Sequence, residues 1–258
     1  MHIQLPGPLK LWSVQVFAWI YSIDVEEAEK PLEEYRSIGD FFVRKLKPGR
    51  RPLALARMLH PADSRINAIG SIAKEKIYQV KSHPYSVEDI LGNAKRAHDL
   101  EGGIFATYYL CPTDYHRVHA PVSGKIISVE HIPGRLWPVF QKSLELIPNL
   151  FANNERMIVN IDTEIGLVSV VFVGALNVGK IELAFDVEFY SQVFGLSQKR
   201  VRDYSPSIDI KAGEELGLFR MGSTVVVFYP RTYCSFVDEA KLTNFVDKKV
   251  QVGQALSL

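Results

Sequence analysis

Two short segments, Ile158-Val159-Asn160-Ile161-Asp162 and Val168-Ser169-Val170-Val171-Phe172-Val173, decide the fold class that this sequence predicts. Both are rich in β-branched residues, and the first alternates apolar with polar side chains, which is the periodicity of a β-strand. A third segment, Thr224-Val225-Val226-Val227-Phe228-Tyr229, has the same character. Glycine and proline recur between such segments as turn signals. We therefore predict a β-rich core.

The N-terminal part of the chain has helical periodicity instead. Its large apolar side chains recur at helical spacing, namely Trp12, Val16, Trp19, Ile20 and Ile23. Further short helices are predicted at residues 84–91 and 137–146. No repeat, low-complexity tract or long linker divides the sequence. The predicted fold class is α+β: a single β-rich domain over residues 1–258 with an N-terminal helical, membrane-associating segment.

The membrane interpretation depends on two features of residues 1–57. Residues 11–23 carry no charge; they are too few to span a bilayer, but their tryptophan and tyrosine side chains favour the lipid–water boundary. A basic stretch without acidic residues follows at Arg44, Lys45, Lys47, Arg50, Arg51 and Arg57. Each basic residue contributes on the order of 1 kcal/mol at an anionic lipid surface. A core-packing helix followed by a solvated loop is the alternative and stays open.

The composition argues against some classes of protein. The chain has 258 residues, 47% of them hydrophobic, which is enough for a sizeable core. Its net charge of +1 provides no global field for binding nucleic acid. Cys111 and Cys234 lie in apolar sequence without metal-ligand spacing. We interpret them as buried reduced thiols, consistent with a reducing compartment.

A candidate reaction site lies directly before the third strand, in Met221-Gly222-Ser223-Thr224. Gly222 places no side chain beside its own carbonyl, and Ser223 brings a hydroxyl next to that carbonyl. The same residues are also ordinary turn chemistry, so the tetrapeptide alone is weak evidence for a reaction.

Polar residues in apolar surroundings occur elsewhere in the chain. Asp63 lies in His60-Pro61-Ala62-Asp63-Ser64-Arg65-Ile66, and His116 and His119 lie in Asp114-Tyr115-His116-Arg117-Val118-His119-Ala120-Pro121. Residues i and i+3 of a strand point to opposite faces, and no further Cys or His stands at ligand spacing. We therefore expect no metal site. Two more such segments are Pro148-Asn149-Leu150-Phe151-Ala152-Asn153-Asn154-Glu155-Arg156-Met157 and Val173-Gly174-Ala175-Leu176-Asn177-Val178-Gly179.

Taken in this order, these segments resemble the phosphatidylserine decarboxylase family, the self-cleaving pyruvoyl enzymes of phospholipid synthesis. The resemblance runs from Phe41-Phe42-Val43-Arg44-Lys45-Leu46-Lys47-Pro48 to Gly253-Gln254-Ala255-Leu256. Two positions depart from the family pattern, because Ser64 replaces the usual glycine and Met221 the usual leucine. Leucine to methionine conserves volume. A serine would be strained if its position needed a positive φ.

The resemblance implies an enzyme, a carboxy-lyase that converts phosphatidylserine to phosphatidylethanolamine and CO2. It implies a triad in which Asp63 orients His119 and His119 activates Ser223. Attack on the carbonyl of Gly222 gives an ester, and β-elimination then releases the upstream chain. Ser223 becomes a pyruvoyl cofactor, so no pyridoxal phosphate is required. His116 is the candidate proton donor to the carbanion that CO2 leaves behind.

The resemblance also implies the partners of the protein. Cleavage would give a β chain of residues 1–222 and an α chain of residues 223–258. Relatives suggest a homodimer of such processed protomers. The substrate is phosphatidylserine, and residues 1–57 would contact an anionic membrane surface. The expected location is therefore peripheral, on the cytoplasmic face of the cell membrane.

An alternative function comes from a different class of protein. Residues 120–126 and 211–217 are similar to the hairpins of biotinyl or lipoyl carrier domains. Such a carrier needs a modifiable lysine at an exposed turn, and the corresponding turn here, Arg220-Met221-Gly222-Ser223, contains none. The absence of a Gly-x-Ser-x-Gly elbow disfavours a hydrolase. A carrier or non-catalytic binding module with a barrel-sandwich core therefore remains the alternative to the decarboxylase.

Overall fold

The computed structural model describes residues 7–78, 84–176, 180–191, 197–220 and 223–256. The helices are α1 (Gly7–Ile20), α2 (Ile38–Phe42), α3 (Val87–Leu91), α4 (Ala94–Asp99), α5 (Gln141–Leu146), α6 (Leu150–Asn153) and α7 (Glu239–Leu242). Single 3₁₀ turns occupy Val25–Glu27, Leu32–Glu34 and Thr243–Phe245, and a longer 3₁₀ segment occupies Arg231–Phe236.

The strands are β1 (Ser64–Ser71), β2 (Lys76–Tyr78), β3 (Pro84–Ser86), β4 (Ile104–Leu110), β5 (Arg117–His119), β6 (Gly124–Ile132), β7 (Arg156–Thr163), β8 (Gly166–Val173), β9 (Ile181–Leu183), β10 (Arg200–Ile210), β11 (Glu215–Phe219), β12 (Ser223–Tyr229) and β13 (Lys249–Val250). An antiparallel sheet of eight strands has the order β10-β6-β7-β8-β12-β4-β1-β13. A smaller sheet has the order β5-β11-β9, and β2 pairs with β3. The prediction of an α+β fold with a β-rich core is confirmed.

The strands predicted from sequence form the centre of the large sheet. β7, β8 and β12 contain the three predicted segments, and each strand begins one or two residues earlier than its segment. β12 lies between β8 and β4, with Thr224 opposite both Val173 and Tyr109. Its residues from Val225 to Tyr229 are fully buried. Burying a side chain of this size contributes about 1.5–3 kcal/mol, so β12 is a main element of the core.

The two short helices predicted outside the N-terminal segment are shorter than expected. Residues 84–86 pair as β3 with β2, and α3 begins only after Ser86, whose side chain accepts a hydrogen bond from the N–H of Asp89. This N-cap fixes the start of the helix. In the second case, helix begins at Gln141, so residues 137–140 of the prediction are not helical.

The N-terminal segment has its own apolar cluster, which is separate from the core of the large sheet. α1 places Val14, Phe17 and Ala18 in this cluster, and α2 adds Phe41 and Phe42. No helix among the described residues is long and apolar enough to cross a membrane.

The opposite side of α1 stays exposed to solvent. Trp12 is 62% exposed and Trp19 is 80% exposed. Ile23 lies beyond the end of α1 and is buried, so it does not continue that exposed face. Packing within the protein therefore does not explain why tryptophans occupy these two exposed positions.

The basic stretch does not form a continuous surface. Lys45, Lys47, Arg50 and Arg57 are exposed. Arg44 is only 4% exposed, and the side chain of Arg51 is 10% exposed and pairs with carboxylates. The two latter arginines therefore face the interior of the protein. Cys111 and Cys234 are free thiols, as expected, but they are half-buried and not fully buried.

Candidate active site

The predicted cleavage bond is flanked by residues that lie against one turn of the chain. Ser223, whose backbone alone is described, opens β12 opposite Leu110 at the end of β4. On the other side of the bond, the N–H of Phe219 donates to the carbonyl of His116 at 3.2 Å. Met221 and Gly222 lie outside the described residues. Residues 110–116, which we name the histidine turn, therefore contact the chain on both sides of the predicted bond.

His116 is held at the end of the histidine turn with one nitrogen unpaired. Its Nδ1 lies 2.8 Å from the carbonyl oxygen of Asp114, which can only accept, so Nδ1 carries the proton. Its Nε2 is buried without a hydrogen-bond partner among the described residues. The imidazole ring packs on Phe42 with 4.0 Å between ring centroids. Complete burial lowers the pKa of His116 to about 3.

The protonation of His116 has a chemical consequence. A neutral imidazole protonated at Nδ1 presents a lone pair at Nε2, so the side chain is set to accept a proton. The role expected from the family resemblance was proton donation only. Donation from Nε2 requires that a proton first be taken up there.

Arg44 is a buried cation beside the same turn. Its Nη2 lies 3.5 Å from the carbonyl oxygen of Thr113, and its guanidinium lies 5.1 Å from the ring centre of Phe41. Its Nε and Nη1 have no hydrogen-bond partner among the described residues. Burial lowers the pKa of Arg44, although a guanidinium stays charged in proteins. Unpaired donors on a buried cation are costly, and they suit an oxyanion.

His119 has different partners. Its Nδ1 lies 2.7 Å from the carbonyl oxygen of Gly213, and its Nε2 lies 3.2 Å from the hydroxyl of Tyr115. The carbonyl of Gly213 accepts from Nδ1–H, so Nε2 carries the lone pair that a general base needs. Burial is the main cause that lowers the pKa of His119. The charges of Glu215 and Asp63 act in the opposite direction.

The predicted triad required a hydrogen bond between Asp63 and His119. The structure gives both side chains other partners. Both carboxylate oxygens of Asp63 accept from Nε of Arg51, at 3.0 and 2.9 Å, and Oδ1 also accepts from the N–H of Val252 at 2.9 Å. The two residues are nevertheless neighbours, because the N–H of His119 donates to the carbonyl of Pro61. Asp63 is therefore placed to act on His119 through its charge.

The serine at position 64 is compatible with this geometry. Ser64 is not among the non-glycine residues with positive φ, and its hydroxyl donates to the carbonyl of Ala62 at 3.1 Å. The position therefore does not need the conformational freedom of glycine, and the substitution carries no strain of that kind.

Sequence reasoning missed four contributors to this site. Arg44 and Arg51 were grouped with the exposed basic stretch, and Tyr115 was noted only as a neighbour of the histidines. Gly213 was placed in a hairpin. Arg44, Arg51 and Gly213 carry no local signal, since their partners are 69, 12 and 94 residues away in the chain. Tyr115 lies only four residues from His119, so its spacing was a signal that could have identified it.

The site and the fold together define a class of protein. His116 is buried and His119 is half-buried, and the two are held by different partners. His116 lies on the turn that contacts Phe219 and Ser223, the described residues on either side of the predicted cleavage bond. This is an arrangement for chemistry and not for carrying a group on lysine. The family model described as phosphatidylserine decarboxylase matches residues 38–257. The chain therefore belongs to the phosphatidylserine decarboxylase family, whose activity makes it a decarboxylase.

Individual relatives agree with this assignment. The phosphatidylserine decarboxylase proenzyme of Methylobacillus flagellatus is 42% identical over 228 residues, which cover 88% of this chain and 81% of the relative. The proenzyme of Acidovorax ebreus is 35% identical over 254 residues, covering 97% of this chain and 88% of the relative. The proenzyme of Myxococcus xanthus is 37% identical over 231 residues, 88% of this chain and 81% of the relative. These comparisons give no support to the alternative of a carrier domain.

Proposed function

We propose that the chain cleaves itself between Gly222 and Ser223 and that the processed protein converts phosphatidylserine to phosphatidylethanolamine and CO2. The observation that carries this proposal is the histidine turn, which contacts Phe219 and Ser223 on both sides of the bond and holds a buried histidine with an unpaired Nε2. The relatives are named as proenzymes, which agrees with a processing step.

His119 is the base of the cleavage step. Its Nδ1–H is fixed by the carbonyl of Gly213, so Nε2 is free of a proton and can take the one on the Ser223 hydroxyl. Tyr115 donates to the same Nε2 in this structure and must give up that contact during the step. The alkoxide then attacks the Gly222 carbonyl and the C–N bond to Ser223 breaks, with the proton on His119 passing to the freed amine. β-Elimination, with loss of the Cα proton of residue 223, releases the upstream chain as a carboxylate. Addition of water to the resulting dehydroalanine and loss of ammonia leave the pyruvoyl group. The negative charge of Asp63 stabilises the imidazolium.

The residues around the start of β12 fit a pyruvoyl group formed from Ser223. His116 is fully buried there and has an unpaired Nε2 to offer to a reacting molecule. Such a group would supply an electrophile for the amine of the substrate and a sink for the electron pair that decarboxylation releases.

His116 moves one proton in two directions in this proposal. The amine of the substrate arrives as an ammonium and must lose a proton before it can act as a nucleophile. The Nε2 lone pair of His116 accepts that proton, and the imidazolium later returns it to the substrate carbon from which CO2 has left. The neutral state of His116 leaves the Nε2 lone pair that the first transfer needs. The low basicity that burial causes suits the second.

Arg44 binds the phosphodiester of the substrate in this proposal. Its unpaired Nε and Nη1 provide charge-assisted donors inside the site. The carboxylate of the substrate is a poorer partner, because a guanidinium bound to it would stabilise the charge that must leave as CO2 is formed.

The N-terminal segment binds the membrane that contains the substrate. The exposed Trp12 and Trp19 of α1 provide the apolar contact, and exposed basic residues, namely Lys45, Lys47, Arg50 and Arg57, provide the electrostatic one. We place the protein peripherally on the cytoplasmic face of the cell membrane, as a homodimer of processed protomers.

Intact-mass analysis of the purified protein tests the proposal. Cleavage of the 258-residue chain after residue 222 leaves an α chain of 36 residues with a pyruvoyl group at its N-terminus. Ser223→Ala is the control and must remain a single chain, since alanine has no hydroxyl. A wild-type protein that is folded and soluble but uncleaved overturns the proposal.

A further inference from the structure

Arg51 joins the N-terminal segment to Asp63 with all of its N–H groups engaged. One edge of the guanidinium faces Asp63, through Nε at 3.0 and 2.9 Å and Nη2 at 2.5 Å. The other edge faces Glu27, with Nη1 and Nη2 each 2.9 Å from a carboxylate oxygen. The remaining proton on Nη1 is donated to the carbonyl of Arg50 at 2.9 Å. An arginine has five N–H donors, so none is left for another partner.

The three side chains form a partly buried cluster with a net charge of −1. Arg51 is 10% exposed, Asp63 is 9% exposed and Glu27 is 22% exposed. The hydrogen bonds from Arg51 are the first cause that lowers the pKa of Glu27. If Arg51 paired with Asp63 alone, the two charges would cancel. Glu27 restores one negative charge to the cluster.

Glu27 belongs to the N-terminal segment and is anchored there. It ends the 3₁₀ turn Val25–Glu27, and its carbonyl accepts from the N–H of Lys47 at 2.8 Å. A bridge between Ala28 and Leu46 continues this pairing. Asp63, in contrast, directly precedes β1 of the large sheet. The cluster therefore spans the two parts of the protein that have separate apolar cores.

We propose that Arg51 is a positioning residue for self-cleavage: it holds Asp63 away from hydrogen-bonding distance of His119, and Glu27 supplies the negative charge that Arg51 would otherwise cancel. This inference rests on the proposed function. It makes Glu27, and with it the docked N-terminal segment, part of the maturation site. His119 is then oriented by the carbonyl of Gly213 and stabilised as a cation by the charge of the cluster.

The charged groups that face His119 come from three elements. Asp63 precedes β1, Glu215 lies on β11 directly opposite His119, and Arg117 lies on its own strand β5. Arg117 and Glu215 pair with each other at 2.6 Å, so their charges largely compensate. Tyr115 contacts Nε2 as a neutral donor. The Glu27–Arg51–Asp63 cluster therefore carries the uncompensated charge near His119, and single substitutions at Glu27 and Arg51 change that charge in opposite directions.

The base role of His119 determines the direction in which each substitution shifts the pH dependence of cleavage. Cleavage needs the neutral imidazole, so its rate rises with pH through the pKa of His119. Glu27→Gln makes the cluster neutral, so it stabilises the imidazolium of His119 less and lowers the pKa of His119. The rising limb of the pH–rate profile therefore moves to lower pH, and the plateau rate of cleavage falls. Arg51→Gln gives the cluster a charge of −2, and the limb moves to higher pH. Each shift is expected to be about half a pH unit, since directly contacting charges give roughly 1–3 units.

The experiment follows cleavage of the full chain after pulse-labelled cell-free synthesis, in buffers between about pH 5 and 8. Arg51→Lys keeps the charge but loses the planar fork, so it should slow the plateau about tenfold with little movement of the limb. Arg202→Lys is the control, because Arg202 on β10 also pairs with a carboxylate, that of Asp186, and has no contact with His119. Thermal melting of each variant in the uncleavable Ser223→Ala background separates loss of folding from loss of rate.

The result expected is opposite movement of the pH limb in Glu27→Gln and Arg51→Gln, with Arg202→Lys like wild type. Limbs that stay at the wild-type pH in both variants overturn the inference, and so does a wild-type rate in Arg51→Lys. Should Arg51→Gln fail to fold, an unmoved limb in Glu27→Gln is sufficient to overturn it. A wild-type chain that never cleaves contradicts the proposed function instead, so the two failures are distinguishable.

Discussion

The Nδ1 of His119 lies 2.7 Å from the carbonyl oxygen of Gly213, and this backbone carbonyl, not a carboxylate, fixes the tautomer of the proposed base. Gly213 has a φ of +86°, and its own N–H donates to the carbonyl of Ala120, the residue after His119. The orientation of the imidazole therefore depends on the conformation of one turn between β10 and β11.

Substitution of Gly213 tests whether this turn orients the imidazole of His119. In Gly213→Ala, a Cβ would lie 2.6 Å from the side chain of Leu53, at a φ that alanine resists. We expect a destabilisation of about 1–3 kcal/mol and slower cleavage, because the carbonyl that holds His119 moves. Thermal melting and a cleavage time course measure the two effects.

Gly49→Ala is the matched control for the turn. Gly49 has a φ of +80°, and a Cβ there meets nothing within 4 Å. It should show the cost of the backbone conformation without slowing cleavage. Equal cleavage rates in Gly213→Ala and Gly49→Ala would show that the Gly213 turn does not position His119.

Substitutions of the two histidines are predicted to block different steps. His119→Ala should leave an uncleaved precursor, because nothing else takes the proton of Ser223. His116→Ala should still cleave, but its decarboxylation should fall by roughly the 10²–10⁴-fold typical of a positioned acid–base group. A gel for the two chains and a CO2-release assay on the same preparations measure both steps. Blocked cleavage or normal decarboxylation in His116→Ala would make His116 a structural residue.

The sequence predicted the strands well because their signal is local. Residues 158–162 and 168–173 carry the period of a strand, and they lie within β7 and β8. The triad that the resemblance implied brought Asp63 and His119 together, and in the structure the two lie near each other without a hydrogen bond between them. The contacts that hold them were not predictable, because His119 and Gly213 are 94 residues apart in the chain and the interaction is with a backbone carbonyl. Every residue has a backbone carbonyl, so residue identity does not indicate which carbonyl accepts this hydrogen bond.

The burial of Arg44 escaped prediction for a related reason. In the sequence Arg44 adjoins Lys45, and only the packing of the N-terminal segment against the histidine turn separates the two environments. Charge patterning identifies basic residues, but it does not say which of them the fold encloses. Arg51 illustrates the same point, since its partners lie on both sides of it in the chain.

Arg44 is predicted to cost stability while serving the reaction. Arg44→Met removes a buried cation with unpaired donors, so the melting temperature of the Ser223→Ala precursor should stay the same or rise. In the cleavable chain, the same change should leave processing intact and raise the KM for phosphatidylserine about tenfold or more. Arg57→Met is the control, since Arg57 is exposed and belongs to the same basic stretch. An unchanged KM in Arg44→Met would remove the phosphodiester role.

Membrane binding is predicted to need the exposed face of α1 and only part of the basic stretch. Co-sedimentation with vesicles should favour anionic over neutral lipid and decline with added salt, since the screening length is about 8 Å at physiological ionic strength. Trp12→Ala combined with Trp19→Ala should weaken binding to both kinds of vesicle, because these side chains are 62% and 80% exposed and supply apolar contact.

The buried and exposed members of the basic stretch give an internal comparison for this prediction. Lys45→Gln with Lys47→Gln should reduce binding to anionic vesicles, because both side chains face solvent. Arg44→Met should bind vesicles like wild type, since Arg44 is 4% exposed and does not belong to the solvent-facing surface of the basic stretch. Equal losses in the two variants would contradict the assignment of Arg44 to the interior. Equal binding of the wild-type protein to neutral and anionic vesicles would exclude an electrostatic contribution and leave α1 as the sole contact.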